Sequence, residues 1–199
     1  RNAAEGSIDI IEENINTFMR MNEENLLVLC QNANIRDIFN KKPDEVKYVH
    51  DALEGYLKGH KDITSIYVGR KDKKMELFPK QQLPEGFDPT KRPWYTAAQG
   101  KNQVVWTEPY VDTGTGKMTV TLAISVYDFN NEFVGVLGAD ISLEKLTSFI
   151  GKARIGKNGY ISLMDNKGNI LTHPDAALVG KELPVPELKK AIYETDKGS

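Results

Sequence analysis

The chain has 199 residues, 40% hydrophobic and 27% charged, which suits one large domain or two small ones. A core can form without a metal or a disulfide as staple. Lys+Arg 26 against Asp+Glu 28 leaves a net charge of -2 and excludes the basic footprint of a nucleic-acid binder. No apolar run approaches the roughly 20 residues of a membrane helix, and Arg1-Asn2-Ala3-Ala4-Glu5 does not open a signal peptide. Starting on Arg1 and stopping on Ser199, the chain reads as an excised piece of a longer protein. Cys30 is the sole cysteine, so no intrachain disulfide and no cysteine metal site can form. Among Leu27, Val28 and Leu29 it reads as a buried, inert thiol.

From Ser7 to about Gln31, apolar residues at Ile8, Ile11, Ile15, Phe18, Leu26 and Leu29 recur at three and four, the stripe of one long helix. Ser7 is expected to cap it, Asp9 to favour its first turn, and Asn22 to interrupt the stripe. Such a helix runs on the order of 35 Å. Packing along its own domain and a dimer seam both fit it. A second helix is expected from Pro43 to Gly59, with Val46, Val49, Leu53 and Leu57 on one face. Ile63 to Val68, the charged turn Arg70 to Lys74, and Leu77-Phe78 predict a hairpin.

Phe87 to Asn102 is read as loop and short helix, opened by Pro93 and ended by Gly100. Three strands follow, Val104 to Val111, Met118 to Tyr127 and Phe133 to Ser142, forming an antiparallel meander. In the middle strand Val120, Leu122, Ile124 and Val126 face one side, and Thr119, Thr121, Ala123 and Ser125 the other. Leu143 to Ile150 is a short helix capped by Ser142, with Gly151 after it. Ser65 to Pro79 then lies without gaps on Tyr160 to Pro174, a repeat of strand, charged turn, strand and proline. It predicts a second small sheet module, cut short after a helix around Pro186 to Tyr193.

Asp88 to Tyr95 sets the Arg92 guanidinium beside the large rings of Trp94 and Tyr95. Arg92 can grip a carboxylate through two parallel hydrogen bonds, and the rings offer faces to a cation. Tyr110 and Asp112 share a strand face, and Asp140 ends another strand. A cation, two acids and aromatic walls are what a pocket for an amino-acid zwitterion requires. The same residues also allow a structural salt bridge from Arg92 to Asp112 or Asp140, with Trp94 filling the core.

Asp88-Pro89, Arg92-Pro93-Trp94-Tyr95, Tyr110, Asp112, Thr115-Gly116, Thr121 and Gly135 to Ser142 together resemble the double Cache (dCache) sensor domain. The resemblance covers nearly the whole chain. That family forms the extracytoplasmic part of prokaryotic chemoreceptors and sensor histidine kinases. In its amino-acid-binding branch, the resemblance implies that Arg92 and Trp94 hold the ligand carboxylate, and that Tyr95, Tyr110, Asp112 and Asp140 hold the ammonium. The chain departs at Phe87, where that branch carries Tyr, so the wall is kept and a hydroxyl is lost.

Other signals are weaker. His50, His60 and His173 lack a metal-binding spacing, and His50 reads as half-buried. Asp165 to Asn169 is a hairpin turn sooner than a calcium loop. No metal, no cofactor and no catalytic residue is expected.

The expected fold is α+β, a long N-terminal helix followed by tandem PAS-like modules with antiparallel sheets, the second incomplete. Residues 1–60 hold the two helices, 61–142 the membrane-distal ligand-binding module, and 143–199 a linker helix and part of a membrane-proximal module. The expected function is that of an extracytoplasmic sensor of a membrane receptor, binding an amino acid through Phe87, Arg92, Trp94, Tyr95, Tyr110, Asp112 and Asp140. A homodimer through the N-terminal helix fits the stripe. Rival readings are a sensor of amines or small carboxylates, a ligand-independent interaction module, and a hydrolase using Asp112 and Asp140 as acid and base.

Overall fold

A computed structural model of the chain describes residues 3–150, 160–165 and 167–183. The chain divides into two compact units, one of residues 13–142 and one of residues 1–12 with 143–199.

Helix α1 is Ala3–Cys30, so Ser7 lies inside it and does not cap it. Ala3, Ala4 and Glu5 are strong helix formers and carry the helix past the serine. Phe18, Asn22, Leu26 and Leu29 are all buried. Asn22 therefore belongs to the stripe, because its buried Nδ2 is satisfied by donating to the Phe18 carbonyl at 2.8 Å. The single-turn α2 (Ala33–Arg36) is capped by Asn32, which accepts from the Asn34 N–H. Helix α3 is Lys47–Gly59, four residues shorter at its start than the proline predicted. Residues 43–46 form turns, with the Glu45 carboxylate accepting from the Lys42 N–H. Val49, Leu53 and Tyr56 form the buried face of α3.

The sheet holds β1 (Ser65–Arg70), β2 (Met75–Phe78), β3 (Val105–Trp106), β4 (Tyr110–Val111), β5 (Met118–Tyr127) and β6 (Phe133–Ser142). Its order is β2-β1-β6-β5-β3, with β4 also paired to β5, and every pair is antiparallel. The strand expected over Val104 to Val111 is thus two short pieces. Pro109, between them, has no N–H to give to the ladder.

Register assigns the two faces. Ser65 pairs Asp140, which pairs Thr121; Tyr67 pairs Gly138, which pairs Ala123. These residues share one face with Met75 and Leu77. The opposite face carries Ile66, Val68, Leu122, Ile124, Leu137, Ala139 and Ile141, all buried, and α2 and α3 pack on this unit's strands. On the Tyr67 side lies α4 (Pro93–Ala98), whose Trp94, Tyr95 and Ala98 join Tyr67, Leu77, Ala123 and Val136 in one apolar cluster.

The second unit holds α5 (Leu143–Ile150), the antiparallel pair β7 (Leu163–Met164) and β8 (Ile170–Thr172), and a 3-10 turn Ala176–Leu178. Its hairpin repeats that of β1 and β2 residue for residue at the turn. Gly69 pairs Met75 and Met164 pairs Ile170. Arg70 N–H donates to the Lys74 carbonyl, and Asp165 N–H to the Asn169 carbonyl. Lys73 and Gly168 hold the same left-handed corner, at φ 69° and 86°. The Asp165 carboxylate accepts from the N–H groups of Lys167 and Asn169, a turn's own bonding. Gly151 and the helix expected around Pro186 to Tyr193 lie outside the described residues.

Candidate ligand-binding site

A single loop places Arg92 and Trp94. Asp88 accepts from both the N–H and the hydroxyl of Thr90, which closes a 3-10 turn at Pro89–Lys91. The Thr90 hydroxyl bond, opposed by desolvation, keeps the Asp88 carboxyl below its ordinary range. Arg92 then stands at the N-cap of α4, and Pro93 opens the helix with the φ it needs. Trp94 turns inward against Tyr67, ring centroids 4.7 Å apart. Gly69 makes that approach possible, since a Cβ there would collide with the indole.

Arg92 and Trp94 line a cavity of about 330 Å³, counting its open mouth, with Phe87, Tyr110, Asp112 and Asp140 also in its wall. Tyr95 is not among the lining residues. It is 1% exposed and packs edge-on between Trp94 and Phe133. Phe87 lies under the Arg92 guanidinium, 5.7 Å from ring centroid to carbon.

At the inner end Asp140 is 2% exposed. Its Oδ1 accepts from the Tyr67 hydroxyl at 2.7 Å and the Thr121 hydroxyl at 2.6 Å. With the Thr121 proton spent there, the Tyr110 hydroxyl donates to Thr121 Oγ1 at 2.7 Å. Oδ2 takes no hydrogen bond among the described residues. Burial pushes the Asp140 carboxyl up to about 7, against the two hydroxyls that lower it, and the Asp112 charge adds to the rise. Burial, then the Asp140 charge, holds the phenols of Tyr67 and Tyr110 well above their ordinary range.

Asp112 commits Oδ2 to the N–H and hydroxyl of Thr115, closing the turn at the mouth. Arg92 donates to the Thr113 hydroxyl at 2.6 Å and makes no ion pair with Asp112 or Asp140 among the described residues. The salt-bridge alternative from the sequence is thereby overturned. A guanidinium and two carboxylates face one cavity without neutralising each other, so the charge complement is open to a ligand.

Tyr67, Ser65 and Gln81 also line the cavity, and the sequence did not single them out. The available signal was glycine inside a strand. A Cβ at Gly138 would collide with the Tyr67 ring, just as one at Gly69 would collide with Trp94.

A PAS-like sheet with a charge-complementary pocket defines a small-molecule sensor. The comparisons agree, and the chain belongs to the Cache domain family, whose pattern it matches over residues 1–199. It is 31% identical to the methyl-accepting chemotaxis protein McpC of Bacillus subtilis over 201 aligned residues, covering 100% of this chain and 30% of that protein. Among solved structures it is similar to the ligand-binding domain of the Pseudomonas aeruginosa amino acid chemoreceptor PctB in complex with L-Gln. The TM-score is 0.74 at 28% identity, covering 92% of this chain and 72% of that one. The ligand-binding domain of the Pseudomonas fluorescens chemoreceptor CtaA with L-alanine gives a TM-score of 0.71 at 30% identity, covering 88% and 72%. The chain thus spans about a third of the length of the curated receptor it matches and corresponds to the sensor domain of such receptors. Among the described residues no helix is long and apolar enough to cross a membrane.

Proposed function

We propose that the chain is the extracytoplasmic sensor of a membrane-anchored chemotaxis receptor and that it binds an α-amino acid. The observation that carries this reading is the Arg92 guanidinium and the Asp140 carboxyl set across one cavity without pairing with each other. Arg92, Thr113 and Trp94 take the carboxylate. Oδ2 of Asp140, Asp112 and Tyr110 take the ammonium, while Tyr95 acts from behind by backing Trp94. Phe87 supports the guanidinium in place of donating a hydroxyl. The homologues crystallised with L-Gln and L-alanine support the same ligand class.

In this reading residues 61–142 are the membrane-distal binding module, fed by the helices of 1–60, and 143–199 begin the membrane-proximal one. The ligand is held unchanged and shifts a balance between two arrangements of the receptor, by as much as its affinity differs between them. Met21 and Val28 of α1 are exposed and seven residues apart, and they supply the seam of a homodimer.

A thermal-shift screen of amino acids, amines and small carboxylates tests the proposal. An amino acid should raise the melting temperature, while the same compound stripped of its carboxylate or its ammonium should not. Chemical turnover of the bound compound would favour the hydrolase reading instead.

A further inference from the structure

The zwitterion reading leaves one wall of the cavity without a role. In the sheet, Thr121 and Tyr110 lie on the β5 and β4 side of Asp140, whereas Met75 and Leu77 stand on β2, the opposite edge. The segment after β2 adds Gln81 and Leu83 to that wall. None of these four carries a charge. Among the described residues of the lining only Arg92, Asp112 and Asp140 do, and in the zwitterion reading the ligand's carboxylate and ammonium engage all three.

We propose that the β2 wall receives the side chain of the amino acid and admits only an uncharged one, with Gln81 as the residue that sets this selectivity. The inference rests on the zwitterion reading of the same cavity. A fourth charge entering beside Met75, Leu77 and Leu83 loses its water and meets no counter-charge. The three apolar residues, half-buried to buried around Tyr67 and Trp94, offer contact to an aliphatic chain.

Gln81 is fixed at this wall from two sides. Its Nε2 donates to the Ser65 hydroxyl at 3.3 Å, from the strand position that pairs with Asp140. Its carbonyl oxygen lies against Gly114, where any Cβ would collide with it. The amide therefore stays in the wall, and it presents hydrogen-bonding groups without net charge.

Isothermal titration of the purified 199-residue chain with L-alanine, L-serine, L-valine and L-leucine, against L-arginine, L-lysine, L-aspartate and L-glutamate, tests this. At least one uncharged amino acid should bind about 100-fold more tightly than every charged one. In Gln81→Glu the new carboxylate should bring L-lysine or L-arginine at least about tenfold closer to the best uncharged ligand. A charged amino acid within about tenfold of the best uncharged one in the unaltered chain overturns the inference alone and leaves the zwitterion reading standing. Selectivity unchanged in Gln81→Glu, with the circular dichroism spectrum intact, overturns the part given to Gln81. If no amino acid binds at all, the zwitterion reading fails and this inference falls with it.

Discussion

Tyr67 donates its hydroxyl to Asp140 Oδ1 at 2.7 Å, diagonally across the β1–β6 pair in which Ser65 faces Asp140 and Tyr67 faces Gly138. The bond joins the inner carboxylate to the ring that packs against Trp94, so both ends of the cavity hang on one side chain. Tyr67→Phe keeps the ring and removes the donor. One buried acceptor bond is lost, and stability should fall by about 1 kcal/mol in chemical denaturation. Because the hydroxyl lowers the Asp140 carboxyl, the variant should also move the pH midpoint of ligand binding upward. A midpoint that stays put would show that Tyr67 does not govern this acid.

The carboxyl of Asp140 makes the empty domain pH-dependent in a defined direction. Its folded value is about 7 against an ordinary 3.8, so the folded state keeps a proton that the unfolded state has released. Stability is fully present below about pH 4, falls as pH rises to about 7, and is level above that. At about 1.4 kcal/mol per pKa unit, the whole loss is at most roughly 4–5 kcal/mol. Asp140→Asn should remove this slope, which is read from the difference between the two melting-temperature profiles over that window. Ligand binding should run the other way. An ammonium requires the ionised acid, so affinity should weaken by about tenfold per unit below pH 7 in the unaltered chain.

Arg92 is half-exposed at the cavity mouth, and among the described residues its side chain makes one hydrogen bond, to the Thr113 hydroxyl. Losing it costs the empty fold little, yet a ligand carboxylate loses its charged partner. Arg92→Ala should weaken amino-acid binding by about 1.5–3 kcal/mol, about 10- to 100-fold, with the melting temperature nearly unchanged. Arg92→Lys should recover only part, because an ammonium cannot grip a carboxylate at two points. Affinity that survives Arg92→Ala would remove the carboxylate clamp from the site.

Local pattern made much of this legible, and the gaps share one cause. The α1 stripe, the β5 alternation and the Arg92-Pro93-Trp94 opening of α4 are written in spacings of a few residues. Tyr67 was not, because its role depends on β1 lying beside β6, a pairing between segments far apart in the chain. Tyr95 went the other way. It sits next to Trp94 in sequence, but one helical step turns it into the core and away from the cavity. Pro43 was read as a helix opener because it often is one, yet here the Glu45 side chain caps a turn first.

The repeated hairpin allows a local test. Lys73 holds φ 69° where its counterpart is Gly168 at φ 86°. A left-handed backbone costs a residue with a Cβ roughly 1 kcal/mol relative to glycine. Lys73→Gly should therefore stabilise the first hairpin by up to about 1 kcal/mol, less what the loss of the 3.5 Å contact from Lys73 Nζ to Asp88 removes. A drop in stability would mean that this contact matters more than the backbone.

Two glycines give opposite expectations from the same substitution. At Gly69 a Cβ would strike the Trp94 indole and lie close to Pro89, both part of the packed wall behind the cavity. Gly69→Ala should cost about 1–3 kcal/mol, lowering the melting temperature by about 2–4 °C for each kcal/mol in a chain of this size, and should abolish ligand binding by displacing Trp94. Gly55 lies within α3 with nothing inside 4 Å of where its Cβ would be. Gly55→Ala should raise stability by about 0.5–1 kcal/mol, since alanine loses less conformational freedom in a helix, and leave binding untouched. Equal losses at the two positions would mean that the cost at Gly69 is general to the backbone and owes nothing to Trp94.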